Sequence, residues 1–117
     1  MDQTFNRVTV DSDTSTNDTC IMFASGKAAP MLDPIDEGSD AYQELERAIY
    51  VVCEALARGI AADGEGSTKL VTVTVSGAAT PQDADTAARA VANSPLVKTA
   101  VAGHDCNWGR VAAALGK

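Results

Sequence analysis

Residues 39–75 read SDAYQELERAIYVVCEALARGIAADGEGSTKLVTVTV, and two different periodicities follow each other in this stretch. A helix is predicted from about residue 39 or 40 to about residue 63, because apolar side chains recur there every three or four residues. These side chains are Tyr42, Leu45, Ile49, Val52, Cys53, Leu56 and Ile60. In residues 70–75 valine alternates with threonine, and this period of two predicts a strand.

Periodicity and capping residues predict further elements on both sides of this stretch. Predicted strands cover residues 5–10, 20–24 and 96–102, and predicted loops cover residues 11–18 and 28–38. A second helix opens with Thr80 as N-cap and Pro81 at its first position, and Asn107 caps a last helix through Leu115. The order strand, strand, helix, strand, helix, strand, helix predicts the α/β class, here an α+β layered sandwich.

Composition and charge exclude several classes of protein for this chain. The chain has 117 residues and 12.0 kDa, which fits one domain. Its formal net charge is −7, which argues against nucleic acid as a partner because phosphates require a basic face. No apolar run approaches the roughly 18 residues of a membrane span. The first residues lack a signal peptide's pattern, and the three cysteines form no disulfide framework, so a cytoplasmic location is predicted.

The most informative polar feature is the segment Asp63-Gly64-Glu65-Gly66, just past the predicted end of the first helix. The helix dipole is negative there and disfavours carboxylates, so acids at this place gain from a cationic partner. Lys69 is one candidate partner and an amine-bearing ligand is the other. A helix cap followed by a turn, with both acids in water, explains the same residues, and the pattern alone favours that interpretation.

Two other polar clusters are weaker candidates, and no metal site is predicted from either. Asp11, Asp13 and Asp18 are potential Ca²⁺ ligands, but the glycine and the terminal glutamate of a calcium-binding loop are missing, which favours a structural loop. His104-Asp105-Cys106 contains the residue types of a nucleophilic or zinc site at unsuitable spacing. A polar loop leading into a helix cap is the favoured interpretation. Lys98, within a predicted strand, faces solvent or pairs with a carboxylate.

Three blocks of sequence, in this order along the chain, resemble one known family. They are residues 5–18 (FNRVTVDSDTSTND), residues 62–66 (ADGEG), and residues 93–100 (NSPLVKTA) followed by Gly103-His104-Asp105 and Asn107-Trp108-Gly109-Arg110. Together they are similar to the ornithine acetyltransferases, the bifunctional glutamate N-acetyltransferases of arginine biosynthesis. The blocks cover most of the chain, and their joint occurrence is far more specific than any one of them.

The resemblance implies that residues 1–117 form a single partial domain, an internal segment of the family's β chain. The family moves an acetyl group from N-acetylornithine to glutamate, and some members also use acetyl-CoA; no cofactor is implied. Its nucleophile is a threonine that autocatalytic cleavage leaves at the start of the β chain, upstream of residues 5–18. The resemblance therefore implies no catalytic residue in this chain, which alone is expected to be inactive.

Only Glu65 matches a substrate-binding residue of the family, and the resemblance implies that it binds an amino group of the amino-acid substrate. The implied partners are the α chain, the remainder of the β chain, and the small amino acids N-acetylornithine and glutamate, in a hetero-tetramer. Neither nucleic acid nor membrane is an expected partner. An alternative hypothesis is a non-catalytic amino-acid-binding or interaction module that retains the scaffold.

Overall fold

The computed structural model describes residues 1–27 and 34–117, in which four α-helices follow a short 3-10 turn at Phe5–Arg7. The helices are α1 (Asp40–Ala62), α2 (Pro81–Ala92), α3 (Pro95–Ala102) and α4 (Trp108–Leu115). Helices α2, α3 and α4 pack against one another, whereas α1 contacts the 3-10 turn. Of the predicted loop 28–38, residues 28–33 lie outside the described ranges, and residues 34–38 form neither helix nor strand.

The predicted helices are confirmed together with the residues that begin them. The side-chain oxygen of Ser39 accepts a hydrogen bond from the Tyr42 amide at the start of α1. Thr80 caps α2 in the same way, with Pro81 at the first position, and Asn107 caps α4. Each cap satisfies one of the amides that a helix start leaves without a partner, so these boundaries follow from local chemistry.

The α/β sandwich predicted from the sequence is wrong, since no residue within 1–27 or 34–117 is in a strand. Residues 96–102 belong to helix α3. Ser94, at the N-cap, accepts a hydrogen bond from the Val97 amide, and Pro95 occupies the first helical position. A capping serine followed by proline is a helix start, and it outweighs the apolar run that predicted a strand.

The other predicted strands lack a neighbouring strand. Residues 5–10 begin with the 3-10 turn, and residues 20–24 and 70–75 have no regular structure. No backbone–backbone hydrogen bond between described residues involves 70–75. Strands exist only as hydrogen-bonded pairs, so alternation of valine and threonine is not sufficient without a second strand beside it.

The core of the described chain is small and lies between α2, α3 and α4. Val91, Val97 and Ala114 are buried together, and Val73, Val101 and Val111 pack against them. The inner face of α2 is at least half-buried throughout; it consists of Ala84, Ala87, Ala88, Val91 and Ala92. Alanine on this face allows α4 to approach α2 closely.

Helix α1 leaves most of its apolar stripe uncovered. Leu45, Val52, Leu56 and Ile60 are exposed, Leu56 by 57%. The chain has an accessible surface of 9538 Å², against about 6,000 Å² for a compact monomer of this mass. Its radius of gyration is 18.3 Å, against about 13 Å for a compact chain of this length. The stripe of α1 is therefore a surface without a partner within the described chain.

The N-cap of α2 offers a direct test of this local structure. Thr80→Ala removes the acceptor of the Asp83 amide, which should weaken α2 by about 1 kcal/mol. Amide hydrogen exchange in the first turn of α2 should accelerate about fivefold as a result. Thr86→Ala is the matched control, because Thr86 lies inside α2 and its hydroxyl donates only to the Gln82 carbonyl. Equal effects of the two substitutions would contradict the cap.

Candidate functional site

The segment Asp63-Gly64-Glu65-Gly66 ends helix α1 and forms a tight turn. The Asp63 amide donates to the Gly59 carbonyl at 3.0 Å, which makes Asp63 the C-cap. The Ser67 amide then donates to the Gly64 carbonyl at 2.8 Å. Gly66 has a φ of +70°, a backbone conformation that side chains with a Cβ rarely adopt. The predicted end of the helix is confirmed, and the turn places Glu65 at its tip.

Glu65 borders a cavity of about 340 Å³ between the end of α1 and the α2–α3 pair. This volume lies in the range of small-molecule sites. Valine side chains form the apolar wall, and they are Val71, Val73, Val91, Val97 and Val101. The polar residues that also line it are Lys69, Lys98, Thr9, Ser67 and Thr68. Glu65 is exposed, but it lies at the edge of a cleft.

The carboxylate of Glu65 has no cationic partner in the described part of the chain. The ion pairs there are Arg7–Asp85 and Arg89–Asp85, so Lys69, the candidate partner within the chain, does not pair with Glu65. The carboxylate also stands beyond the C-terminus of α1, where the helix dipole disfavours a negative charge. An ammonium group of a ligand in the cavity would give Glu65 a cationic partner through a charge-assisted hydrogen bond. Its positive charge would also offset the unfavourable effect of the helix dipole.

Sequence reasoning missed how Lys98 contributes to the cavity. Lys98 is half-buried on α3, and its Nζ atom donates to the Val10 carbonyl at 2.5 Å. Its ammonium therefore pairs with a backbone carbonyl, at a solvent-accessible place, and not with a carboxylate of the described chain. Thr9 is fixed beside it, with its hydroxyl donating to Asn93 Oδ1 at 2.6 Å. No sequence spacing signals these contacts, which join residues more than 80 positions apart.

A second charged cluster, also missed, joins the 3-10 turn to α2. The Nε atom of Arg89 lies 2.8 Å from Asp85 Oδ2, and Arg7 Nη1 lies 3.9 Å from Asp85 Oδ1. The Arg89 guanidinium also donates to the Asn6 carbonyl. The spacing of four between Asp85 and Arg89 was a usable signal, since such pairs face each other on a helix. All these contacts are structural.

The two weaker candidate sites of the sequence are loops in the structure. In residues 11–18 the Asp13 amide donates to Asp11 Oδ1 at 2.9 Å, and the Asn17 amide donates to the Ser15 hydroxyl. These bonds confirm the structural loop. Among the described residues no group of three or more His, Cys, Asp or Glu side chains is arranged to hold a metal ion.

His104, Asp105 and Cys106 are exposed in the connection between α3 and α4. The Asp105 carboxylate accepts a hydrogen bond from the Asn107 amide group, and Asn107 in turn caps α4. The predicted polar loop leading into a helix cap is confirmed. None of the helices in the described ranges has the length and apolar character needed to cross a membrane.

Comparison with known proteins gives consistent matches along the whole chain. The model of the ArgJ family matches residues 1–117. An arginine biosynthesis bifunctional protein ArgJ from Mesorhizobium japonicum is 54% identical over 117 residues, which are 98% of this chain and 28% of that protein. A glutamate N-acetyltransferase Oat2 from Streptomyces clavuligerus is 50% identical over 100% of this chain and 28% of its own length.

A solved structure also matches. The crystal structure of the arginine biosynthesis bifunctional protein argJ from Bacillus halodurans superposes with a TM-score of 0.88 at 46% identity. The match covers 97% of this chain and 52% of that one. The chain thus spans about 28% of the length of the curated relatives it matches, and about half of the matched crystal chain.

Proposed function

Because the chain belongs to the ArgJ family, whose model matches it from residue 1 to residue 117, we propose that it is a segment of an acetyltransferase of arginine biosynthesis. The proposed reaction moves an acetyl group from N-acetylornithine to glutamate, with acetyl-CoA as a second candidate donor and no cofactor. The names of its relatives, a bifunctional arginine biosynthesis protein and a glutamate N-acetyltransferase, support this reaction. The family resemblance seen in the three sequence blocks is confirmed.

The contribution of this segment is the binding of an amino group by Glu65. One observation carries this role: the Glu65 carboxylate borders a cavity and has no ion pair in the described chain. A substrate ammonium that enters the cavity loses contacts with water and donates a charge-assisted hydrogen bond to the Glu65 carboxylate. The valine wall beside it offers an apolar surface to the remainder of the substrate.

The covalent steps are proposed to occur on a threonine outside these 117 residues. In the family scheme the threonine oxygen attacks the acetyl carbonyl carbon, and ornithine leaves as an amine that carries the hydroxyl proton. The glutamate amine then attacks the acetyl ester, the bond between the threonine oxygen and the acetyl carbon breaks, and that oxygen regains a proton from the amine. Thr4 and Thr9 are unsuited to this role, because Thr4 is buried and the Thr9 hydroxyl donates to Asn93. Residues 1–117 are thus proposed as a partial domain that binds substrate without reacting.

The partners proposed for this segment are the remainder of its β chain and an α chain, assembled as a hetero-tetramer. The uncovered stripe of α1 supports the need for such partners, since a helix with one apolar face is stable when that face is buried. A cytoplasmic location is proposed because the three cysteines are free thiols, as in a reducing compartment.

A chimeric protein tests the proposed function. In it, residues 1–117 replace the matching segment of the Bacillus halodurans argJ protein, to which they are 46% identical. We expect the chimera to transfer the acetyl group from N-acetylornithine to glutamate, and the isolated chain to show no turnover above background. The same assay with acetyl-CoA tests the second donor. Turnover by the isolated chain, or a folded chimera without activity, would contradict the proposal.

Calorimetry distinguishes the proposed enzyme segment from the alternative, a non-catalytic binding module. Titration of the isolated chain with ornithine or glutamate should give no binding at millimolar concentration if the site needs the rest of the enzyme. Binding at micromolar concentration by the chain alone would favour the module.

A further inference from the structure

The segment Thr9-Val10 forms a wall of the cavity and lies beside the turn that carries Glu65. Both residues line the cavity. The Cγ1 atom of Val10 lies 3.6 Å from the position that a Cβ atom on Gly64 would take, so Val10 is the neighbour of the residue before Glu65. A shift of Val10 therefore changes the space beside this turn.

Side chains of the α2–α3 corner hold this segment in place. Thr9 and Val10 make no backbone–backbone hydrogen bond to other described residues. Instead the Lys98 ammonium donates to the Val10 carbonyl at 2.5 Å, and the Thr9 hydroxyl donates to Asn93 Oδ1 at 2.6 Å. Two side-chain contacts thus connect the N-terminal segment to residues 84 and 88 positions later.

We propose that Lys98 is a positioning residue for the amino-acid site: by holding the Val10 carbonyl it fixes the Thr9-Val10 segment against the Glu65 turn and sets the geometry of the ammonium pocket. This inference rests on the proposed binding role of Glu65. Lys98 acts through Val10 and Gly64, so it does not itself contact the substrate amino group.

The properties of lysine suit this task. Lys98 is half-buried and lines the same cavity as the valines, while its ammonium donates to a carbonyl; a lysine can do both because its stem is apolar and its end is charged. Methionine in its place keeps the stem and loses the donor, whereas arginine keeps a charged donor of similar reach. Lys27 carries the same charge, is exposed and does not line the cavity, which makes it a matched control for charge alone.

The chimera with Lys98→Met tests the proposal. We expect KM for glutamate to rise about fivefold to tenfold, the range of one ordinary hydrogen bond lost in a solvent-accessible place, with kcat changed less than about twofold. Lys98→Arg should restore most of KM, and Lys27→Met should leave KM within about twofold because an exposed charge away from the cavity acts weakly in water. In a crystal structure of the Lys98→Met chimera, Val10 should move away from Gly64.

The double substitution Lys98→Met with Glu65→Ala tests whether Lys98 acts through Glu65. If Lys98 acts through Glu65, Lys98→Met should add less than about twofold to KM in the Glu65→Ala background, since coupled residues are not additive. Full additivity, or an equal effect of Lys27→Met, would overturn the inference and leave the role of Glu65 intact. A Glu65→Ala chimera with unchanged KM would instead overturn the proposed function. If Lys98→Met prevents folding, Lys98→Gln takes its place with the same expectations.

Discussion

Replacing Glu65 by alanine in the chimera should raise KM for glutamate by about 10-fold to 100-fold. This is the effect expected from the loss of one hydrogen bond between charged groups, which contributes about 1.5–3 kcal/mol. The α-amine is the only ammonium of glutamate, and the Glu65 carboxylate is the acid that lines the cavity. Initial rates at varied glutamate concentration and saturating N-acetylornithine provide the measurement. The value of kcat should fall less than KM rises, because Glu65 is proposed to bind and not to react.

Asp63→Asn is the matched control for this substitution. Asp63 belongs to the same turn and carries the same charge, but it serves as the C-cap of α1 through its backbone amide and does not line the cavity. Its replacement should leave KM within about twofold, because an exposed charge is screened at ordinary ionic strength. If Asp63→Asn and Glu65→Ala raise KM equally, the effect is a general loss of negative charge and the specific pairing is wrong.

The second large effect concerns the apolar stripe of α1. Leu56→Asp in the chimera should lower the free energy of unfolding by about 3 kcal/mol, because the remainder of the polypeptide is proposed to bury this face and the charge would be buried with it. In the isolated chain Leu56 is 57% exposed, so the same substitution should change helix content little. Urea denaturation of the chimera and circular dichroism of the chain measure the two results.

Val51→Asp distinguishes burial of the stripe from a simple loss of helix stability. Val51 is 56% exposed, nearly the same as Leu56, but five residues earlier, on the opposite side of α1. It should cost less than about 1 kcal/mol in the chimera, the range of helix propensity alone. Equal destabilisation by the two substitutions would show that the stripe is not the covered face.

The helix boundaries could be predicted because each of them is local. Ser39, Thr80 and Asn107 cap helices through amides three residues ahead, so a few consecutive residues contain all the partners. The strands at 5–10, 20–24 and 70–75 could not be judged in the same way, because their hydrogen bonds would belong to a neighbour that alternation of side chains does not supply. Residues 96–102 were misassigned although Ser94-Pro95, a local helix start, was visible.

The candidate site also combines features that a short stretch of sequence shows with features that depend on distant contacts. Residues 62–66 alone indicated an acid between glycines past a helix end, and the family resemblance assigned Glu65 to the substrate. That the acid borders a cavity, has no ion pair in the described chain, and shares this cavity with a wall held by Lys98 and Asn93 depends on contacts across more than 80 residues. Capping and helical periodicity act within one turn of chain, whereas a cavity and its charges exist only after distant segments pack.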